Sequence, residues 1–194
     1  PFVDYKRAFY TIQKQIKTGN TFLANLTFPT PIETNLSLKE IFLKSTARYK
    51  MLIEDAFVCF SPETFVTITN GIISTYPMKG TMKVLSADSK RELLADKKEI
   101  AEHHTIVDLL RNDLSLVADA VKVNRFRYVD CIQSPEGALL QVSSEIAGNL
   151  PEDYHQHIGD IIFKLLPAGS VTGAPKDKTV SIISEVEKLE RGYY

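Results

Sequence analysis

The sequence predicts an α+β fold in which most of the β-sheet is antiparallel. Strand-like segments follow one another as near neighbours, and helical segments stand between groups of strands, which argues against a regular βαβ alternation. The dipeptide Asn70-Gly71 separates two apolar segments, residues 64–69 and 72–78, and is a strong signal for a type I′ hairpin. The chain has 194 residues, of which 44% are hydrophobic and 24% are charged, as in an ordinary globular domain.

The first third of the chain predicts two helices and several strands. Asp4 caps a helix with apolar residues at helical spacing, and Gly19 ends it. Ser37 and Glu40 form a capping box, which opens a second helix that reaches about Arg48. Apolar segments predict strands over residues 21–28, 51–60 and 64–69.

The rest of the chain predicts a long helix, two strands and two further helices. Ser89 caps a helix over residues 89–104 that continues to Leu110. The two strands cover residues 121–132 and 139–146. Pro151 begins the next helix, since proline suits the first helical position.

A glycine-rich turn at residues 167–176 opens the last predicted helix. Thr172 or Gly173 is expected as the N-cap, with Pro175 in the first turn. The free N–H groups at such a helix start can bind a carboxylate or a phosphate, although an ordinary helix cap has the same pattern. Apolar residues that recur every three positions are expected to attach this helix to the core: Val180, Ile183, Val186 and Leu189.

Composition limits the partners and the compartment. The formal net charge is -1, so no basic excess predicts binding to nucleic acid or to an anionic membrane. No apolar run approaches the roughly 18 residues of a membrane span, and no signal peptide is recognised. Cys59 and Cys131 lie in apolar segments and predict buried, reduced thiols of a cytoplasmic protein. The histidines have no partner cysteines, which argues against zinc.

Two carboxylates three residues apart are candidate metal ligands. Glu99 and Glu102 project from one face of the predicted long helix. Mg²⁺ accepts one or two carboxylates together with water and a substrate anion, so this pair predicts a magnesium site. A solvated charged helix face is the alternative, because Lys97 and Lys98 precede the pair.

Lys79 and Glu63 are candidate catalytic residues near one hairpin. A lysine beside a glycine in a partly dry pocket can lose its proton and act as a nucleophile. A carboxylate at the open end of the hairpin can act as a general acid or base. The alternatives are a surface lysine at a strand end and a turn residue after a proline.

The geometry of this hairpin sets a condition for a shared site. In a regular hairpin Glu63 would pair with Met78, so Glu63 and Lys79 would lie on opposite faces of the sheet. A shared site therefore predicts a one-residue bulge or a break at Pro62.

Six segments together resemble the chorismate-utilising enzymes, the family of the anthranilate, aminodeoxychorismate, isochorismate and salicylate synthases. The resemblance implies a two-layer, largely antiparallel β-sandwich flanked by helices. It also implies that residues 1–194 form a single chorismate-binding catalytic domain, incomplete at the C-terminus. The segments occur in the family's order and cover nearly the whole chain: residues 61–63 (SPE), 77–81 (PMKGT), 98–103 (KEIAEH), 106–114 (IVDLLRNDL), 167–176 (PAGSVTGAPK) and 187–194 (EKLERGYY).

Lys79 distinguishes the branches of this family. Anthranilate, isochorismate and salicylate synthases usually carry alanine here, and lysine is similar to component I of the aminodeoxychorismate synthases. The resemblance implies that Lys79 attacks C2 of chorismate and expels the C4 hydroxyl, with Glu63 as the proton donor. Ammonia from a glutaminase partner then adds at C4 and displaces the lysine. The product, 4-amino-4-deoxychorismate, serves para-aminobenzoate and folate synthesis.

The resemblance also assigns the other site residues. It implies that Glu99 and Glu102 bind Mg²⁺. Gln141 replaces a histidine that is associated with aromatising pyruvate elimination, which agrees with a product that keeps its enolpyruvyl group. The implied substrate-binding residues are Gly80, Thr81, Gln141, Gly169, Ser170, Gly173 and Tyr194.

Two alternative functions stay open at this point. An anthranilate synthase component I is the first, and both Lys79 and Gln141 argue against it. A non-catalytic chorismate-binding fragment is the second. Its support is that the family's substrate-binding arginine and second pair of metal carboxylates do not follow Tyr194. Both ends of the chain look cut, and it is expected to be an incomplete part of a longer enzyme.

Overall fold

The computed structural model describes residues 2–61, 63–134 and 137–193. The chain divides into two compact units. Unit 1 consists of Pro1–Glu63 and Val171–Tyr194, and unit 2 consists of Thr64–Ser170. The single domain expected over residues 1–194 stays a prediction.

Helices and strands alternate in groups along the chain. The α-helices are α1 (Phe2–Lys17), α2 (Leu38–Lys44), α3 (Ser89–Ala95), α4 (Lys97–Leu114), α5 (Ile158–Leu165), α6 (Gly169–Thr172) and α7 (Lys176–Val186). The strands are β1 (Leu23–Ala24), β2 (Tyr49–Ile53), β3 (Phe57–Ser61), β4 (Thr67–Thr69), β5 (Ile72–Thr75), β6 (Met78–Lys83), β7 (Asp119–Ser134), β8 (Gly137–Asn149) and β9 (Gly173–Ala174). A short 3₁₀ helix covers Tyr154–Gln156.

Unit 1 contains two small antiparallel strand pairs. β2 and β3 form a hairpin, so the single strand predicted over residues 51–60 is wrong. Asp55 reverses the chain with a φ of 60°, a conformation that aspartate tolerates better than most residues. β1 pairs with β9, and only Leu23–Ala24 of the strand predicted over residues 21–28 is formed.

The capping box of α2 is confirmed. The Ser37 Oγ accepts a hydrogen bond from the Glu40 N–H at 3.2 Å, and the Glu40 carboxylate accepts one from the Ser37 N–H at 2.8 Å. These two bonds satisfy donors that the first helical turn leaves free. The helix ends at Lys44, before the predicted Arg48.

Unit 2 is built on a five-stranded antiparallel sheet. β8 is its central strand, and β7 pairs along the whole of one edge of β8. Because that edge is occupied, β5 and β6 share the other edge, and β4 pairs with β5 at the margin. Buried side chains attach α3 to this sheet: Leu93, Leu140 and Val142, with Met82, Leu94 and Val129 packed against them.

The long helix predicted over residues 89–110 is two helices. The break is at Asp96, whose backbone is extended at φ −65° and ψ 113°. Its carboxylate accepts hydrogen bonds from the N–H groups of Lys98 and Glu99 at 2.8 and 3.0 Å. Asp96 is therefore the N-cap of α4, and its side chain replaces the bonds that a continuous helix would supply.

The strand pairs described are all antiparallel, as predicted. In the part of the chain that the structure describes, no helix is both long enough and apolar enough to cross a membrane. Cys59 and Cys131 are both exposed, so the prediction that both are buried is wrong.

Candidate functional site

The centre of the candidate site is an irregularity in β6. Met78 pairs with Ser143 and Thr81 pairs with Gln141, so two residues of β6, Lys79 and Gly80, stand opposite the single residue between those partners. This two-to-one arrangement is a β-bulge. Gly80 has a φ of 90°, which a residue with a side chain rarely adopts.

The predicted hairpin is confirmed only near its turn. Thr69 pairs with Ile72 and Thr67 with Ser74, as the Asn70-Gly71 turn requires. The pairing then stops, and the next residues of the second strand pair with β8 instead. The pairing that would place Glu63 opposite Met78 is not formed. A bulge is present at Lys79-Gly80, but it lies where β6 pairs with β8 and not in the hairpin, so the predicted hairpin bulge stays a prediction. The alternative break, at Pro62, lies outside the described residues.

The two candidate catalytic residues belong to different units. The Lys79 side chain is exposed within unit 2, so the partly dry pocket expected around it is not found there. Glu63 is the last residue of the first segment of unit 1. Its N–H donates to the Ser61 Oγ at 3.1 Å, and that hydroxyl donates to the Glu63 carbonyl at 2.9 Å, which fixes the turn after β3.

Gly80 lies directly under a carboxylate of α4. A Cβ atom on Gly80 would be 3.3 Å from the Glu99 Oε2 and 3.4 Å from a methyl group of Leu93. The structure thus brings Gly80 close to Glu99, which lies in a separate segment of the sequence. A glycine here lets the Glu99 carboxylate approach the β6 backbone.

The candidate metal ligands lie in the first two turns of α4. Glu99 is half-buried, and Glu102 is exposed with its carboxylate 3.5 Å from the Lys98 ammonium. Such an exposed ion pair contributes little to stability and does not fix the carboxylate. Within the described residues no group of three or more His, Cys, Asp or Glu side chains is arranged to hold a metal ion. The two carboxylates therefore fit Mg²⁺ only as a partial ligand set, completed by water and a substrate anion.

A row of polar residues crosses the sheet beside the bulge. Thr81 on β6 and Asp130 on β7 both pair with Gln141 on β8. Paired residues of an antiparallel sheet project from the same face, so these three side chains share one face. Gln141 is half-buried, and Thr81 and Asp130 are exposed.

Gly169 is held by α4 through a buried hydrogen bond. Its N–H donates to the Asp113 carboxylate at 2.9 Å, and a Cβ atom on it would approach Leu109 to 2.8 Å. The expectation that this N–H meets a substrate is corrected, because Asp113 already accepts it. Glycine is required here by close packing against α4.

Position 173 requires glycine for a structural reason within unit 1. It has a φ of 120°, and a Cβ atom on it would collide with the Leu23 carbonyl across the β1–β9 pair. Helix α7 begins at Lys176 with Pro175 as its N-cap and no side-chain capping bond, so the prediction of Thr172 or Gly173 as N-cap is wrong. Its buried residues are Thr179, Ile182 and Ile183, and Leu189 lies beyond its end.

The remaining predicted site residues are less informative. Ser170 is exposed, and Tyr194 lies outside the described residues. Two cavities, of about 990 Å³ in unit 1 and about 560 Å³ in unit 2, are lined by other residues than those predicted for the site.

In unit 1 the Glu187 carboxylate binds the Arg191 guanidinium at 2.7 and 2.9 Å. The Glu187 carboxylate also accepts the Thr27 N–H, so this largely buried ion pair joins the end of α7 to the chain after β1.

A buried polar cluster behind the bulge was not predicted. The His103 side chain is 0% exposed, and its Nε2 lies 2.7 Å from the Ser144 Oγ. Burial lowers the pKa of His103; the nearby Lys79 carbonyl opposes this, though it does not meet the geometry of a full hydrogen bond with Nδ1. The helical spacing of His103 with Ile106 and Leu110 is the signal that could have predicted its burial.

A family comparison assigns the whole chain. The model of the chorismate binding enzyme family matches residues 1–194. The chain belongs to the chorismate binding enzyme family. Its mixed α/β fold is that of anthranilate synthase component I from Streptococcus pneumoniae, with a TM-score of 0.71 at 24% identity over 97% of this chain and 43% of that one. A 2,3-dihydroxybenzoate-specific isochorismate synthase from Bacillus anthracis also matches, with a TM-score of 0.65 at 18% identity over 98% of this chain and 55% of that one.

Curated relatives of this chain carry several names. A PabA-like protein of Haemophilus influenzae is 52% identical over 100% of this chain and 59% of its own length. Aminodeoxychorismate synthase component 1 of Bacillus subtilis is 30% identical over 100% of this chain and 43% of its own length. Anthranilate synthase component 1 of Acetivibrio thermocellus is 31% identical over 98% of this chain and 40% of its own length. The chain spans about three fifths or less of these relatives.

Proposed function

We propose that this chain is the chorismate-binding part of an aminodeoxychorismate synthase component I, which converts chorismate and ammonia to 4-amino-4-deoxychorismate. The observation that carries the proposal is Lys79 itself. It stands at a bulge beside Gly80, where an added Cβ atom would lie 3.3 Å from the Glu99 Oε2. A side chain on a bulge is redirected from the regular strand pattern, as often occurs next to active sites.

In the proposed reaction the Lys79 amine forms a bond to C2 of chorismate. The double bond shifts and the C4 hydroxyl leaves as water after receiving a proton, because hydroxide is a poor leaving group. Ammonia then bonds to C4, the double bond shifts back, and the lysine amine leaves. The sum is chorismate plus ammonia giving 4-amino-4-deoxychorismate plus water. The family resemblance supports Glu63 as the proton donor.

The Glu99 and Glu102 carboxylates would hold Mg²⁺ in this proposal. When bound, the ion neutralises the ring carboxylate of chorismate. The half-buried Glu99 supports this assignment, since its Oε2 would be 3.3 Å from a Cβ atom on Gly80 of β6. Thr81 and Gln141 are proposed to bind the substrate through their hydrogen-bonding groups. Among the glycine-turn residues, Ser170 and Gly173 keep this role by resemblance.

Ammonia is proposed to come from a glutaminase subunit or domain. Component I relatives by that name include both aminodeoxychorismate and anthranilate synthases, which supports a second component. We place the reaction in para-aminobenzoate and folate synthesis in the cytoplasm. This placement follows from the proposed product.

Anthranilate synthesis is the second candidate. The relatives that carry the two names are nearly equally similar, at 30% and 31% identity. Lys79 and Gln141 favour the aminodeoxychorismate reaction. A covalent step on Lys79 would separate the two.

Intact-protein mass spectrometry tests the proposal. The whole protein is incubated with chorismate and Mg²⁺ without ammonia, beside its Lys79→Ala and Lys83→Ala variants. Lys83 is the matched control because it is also an exposed lysine of β6. We expect an adduct of chorismate minus water on the parent and on Lys83→Ala, and none on Lys79→Ala. Absence of the adduct, with amination surviving in Lys79→Ala, would move the assignment to the anthranilate-type reaction.

A further inference from the structure

A buried pair of hydroxyl groups lies where β1, β9 and α7 meet in unit 1. Thr21 precedes β1 and Thr179 lies on α7, and both residues are 0% exposed. Their Oγ1 atoms are 2.7 Å apart. Buried hydroxyl groups are costly unless hydrogen bonds satisfy them. Neither threonine is among the site residues of the proposed function.

The contacts of Thr21 determine the direction of its hydrogen bonds. Its Oγ1 lies 3.0 Å from the Leu23 carbonyl oxygen and 2.9 Å from the Ala174 carbonyl oxygen. Carbonyl oxygens only accept, and a hydroxyl group has a single proton. The Thr21 proton is therefore shared by the two carbonyls, and the Thr179 hydroxyl donates to the Thr21 Oγ1. This chain of hydrogen bonds joins α7 to both β1 and β9.

Both threonine side chains border the backbone of Gly173. The Thr21 hydroxyl donates to the carbonyl of Ala174, the residue that follows Gly173. A Cβ atom on Gly173 would lie 2.9 Å from the Thr179 Cγ2, so the Thr179 methyl group closes one side of the glycine. Since β9 has only two residues, few backbone hydrogen bonds can hold it. The two side chains therefore supply a large part of what fixes Gly173.

We propose that Thr21 and Thr179 are positioning residues that set the backbone of Gly173 for the substrate. This inference rests on the proposed function, in which Gly173 keeps a substrate-binding role by resemblance. Its structural part, the hold of the pair on β9, is independent of the reaction. Because both threonines are completely buried, they act through Gly173 and Ala174 and do not touch the substrate. The expected effect is on the affinity for chorismate.

Variants of similar shape separate the hydroxyl groups from the packing. Thr21→Val and Thr179→Val each replace a hydroxyl by a methyl group, whereas Thr21→Ser keeps the hydroxyl. Thr75→Val is the matched control, because Thr75 is a buried threonine of unit 2 whose hydroxyl donates to the Phe65 carbonyl at 2.8 Å. Thr21→Val should have a larger effect than Thr179→Val, since it removes the carbonyl bonds and leaves the Thr179 hydroxyl without its acceptor.

Isothermal titration calorimetry with chorismate and Mg²⁺ tests the functional part in the whole protein. Every protein in this series also carries Lys79→Ala, so that no covalent adduct forms and binding stays reversible. We expect the Kd for chorismate to rise about tenfold in Thr21→Val, the factor that corresponds to one hydrogen bond, and less in Thr179→Val. Thr21→Ser and Thr75→Val should leave the Kd unchanged. A loss of folded protein alone would lower the number of binding sites without changing the Kd.

Hydrogen–deuterium exchange in the same proteins tests the structural part. The first reporter is the Phe22 N–H, which donates to the Ala174 carbonyl at 2.8 Å. The second is the Asn25 N–H, which donates to the Thr172 carbonyl at 3.3 Å. Thr21→Val should raise the exchange of both about tenfold. The β2–β3 hairpin belongs to the same unit and should exchange as before.

Each part of the proposal has its own contrary result. Exchange that rises equally in the β2–β3 hairpin, or that does not rise at all, would overturn the hold of the pair on β9. Raised exchange with an unchanged Kd, or a Kd that rises equally in Thr75→Val, would overturn the positioning role in favour of ordinary core packing. Absence of the Lys79 adduct in the parent would instead reject the proposed function, and the exchange pattern would still decide the structural part.

Discussion

β5 and β6 pair with the same edge of β8, yet only one of them is regular. Along β5 the register is constant from Ile72, opposite Asn149, to Thr75, opposite Ile146, and three of its four residues are buried. Along β6 the register shifts by one residue, and exposed residues alternate with half-buried ones. Since the partner strand is shared, the difference comes from β6 itself. β5 contributes to the core, and β6 presents side chains away from it.

The local sequence of β6 explains the difference. Pro77 precedes it and has no N–H to donate, and Gly80 takes a positive φ that permits the extra residue of the bulge. Regular pairing would have satisfied every backbone group and placed Lys79 at a fixed position in the pleat. The bulge gives up part of that pairing, which is a cost in stability that a purely structural strand does not need.

The largest expected effects compare Ile73 on β5 with Lys79 on β6. Ile73 is completely buried, so Ile73→Ala should lower the free energy of unfolding by about 2–5 kcal/mol. Lys79 is exposed, so Lys79→Ala should change it by less than about 0.5 kcal/mol. Urea denaturation of the whole protein measures both values. A stability loss in Lys79→Ala as large as in Ile73→Ala would show that Lys79 is a structural residue.

A second comparison uses the glycines that adjoin the two strands. Gly71, in the turn before β5, has a φ of 76° and a hypothetical Cβ only in ordinary contact, 3.7 Å from the Tyr154 ring. Gly71→Ala should therefore cost about 1 kcal/mol, the strain of the left-handed conformation. Gly80→Ala should cost about 2–3 kcal/mol, because the added methyl group also displaces Glu99 or Leu93. Equal losses by urea denaturation would mean that the Glu99 carboxylate does not constrain β6.

Features set by neighbouring residues could be predicted from the sequence. The turn at Asn70-Gly71 and the capping box at Ser37 each depend on residues within a few positions of one another. The α+β class followed from the order of such segments. Asp96 shows the limit of this reasoning: it lies inside a continuous helical pattern, and its capping bonds become visible only in the structure.

Features set by distant residues could not be predicted. The Gly169 N–H reaches Asp113 across 56 residues, and the His103 ring reaches Ser144 across 41. Neither partner is indicated by spacing or local propensity. The bulge is an intermediate case, because the chemistry predicted an irregularity near the hairpin but not that β6 would leave the hairpin to pair with β8. The family motifs identified candidate residues without giving these contacts.

A smaller effect is expected for magnesium binding beside the bulge. Glu99→Gln removes one of the two proposed ligand charges, so the affinity for Mg²⁺ in the presence of chorismate should fall at least about tenfold. Glu92→Gln is the control, since Glu92 is an exposed carboxylate in the first turn of the neighbouring helix α3. Isothermal titration calorimetry compares the two variants. The same affinity in Glu99→Gln and Glu92→Gln would remove Glu99 from the ligand set.

The smallest expected effect concerns Tyr128, which lies across β8 from the start of β6. Tyr128 and Met78 both pair with Ser143. Burial raises the pKa of Tyr128, and the Asp130 carboxylate raises it further, whereas the Arg125 guanidinium, 3.8 Å above the ring, lowers it. Asp130→Asn should therefore lower the pKa of Tyr128, and Arg125→Met should raise it. Absorbance at alkaline pH, with Tyr128→Phe as the reference, measures both shifts.

The same titration distinguishes the two strands on β8. Because folding raises the pKa of Tyr128, its contribution to stability is complete below the pKa of an unfolded tyrosine and is lost as the pH rises through the folded-state pKa. The part of β8 that pairs with β6 faces Tyr128, whereas the part that pairs with β5 faces Lys122 and Val123. Gly80→Ala changes β6, the strand that lies across β8 from Tyr128, so it should shift the titration of Tyr128. Gly71→Ala changes the turn before β5 and should leave that titration unchanged. A shift of equal size in both variants would show that β5 and β6 act on β8 as one continuous strand, in spite of the bulge between Met78 and Thr81.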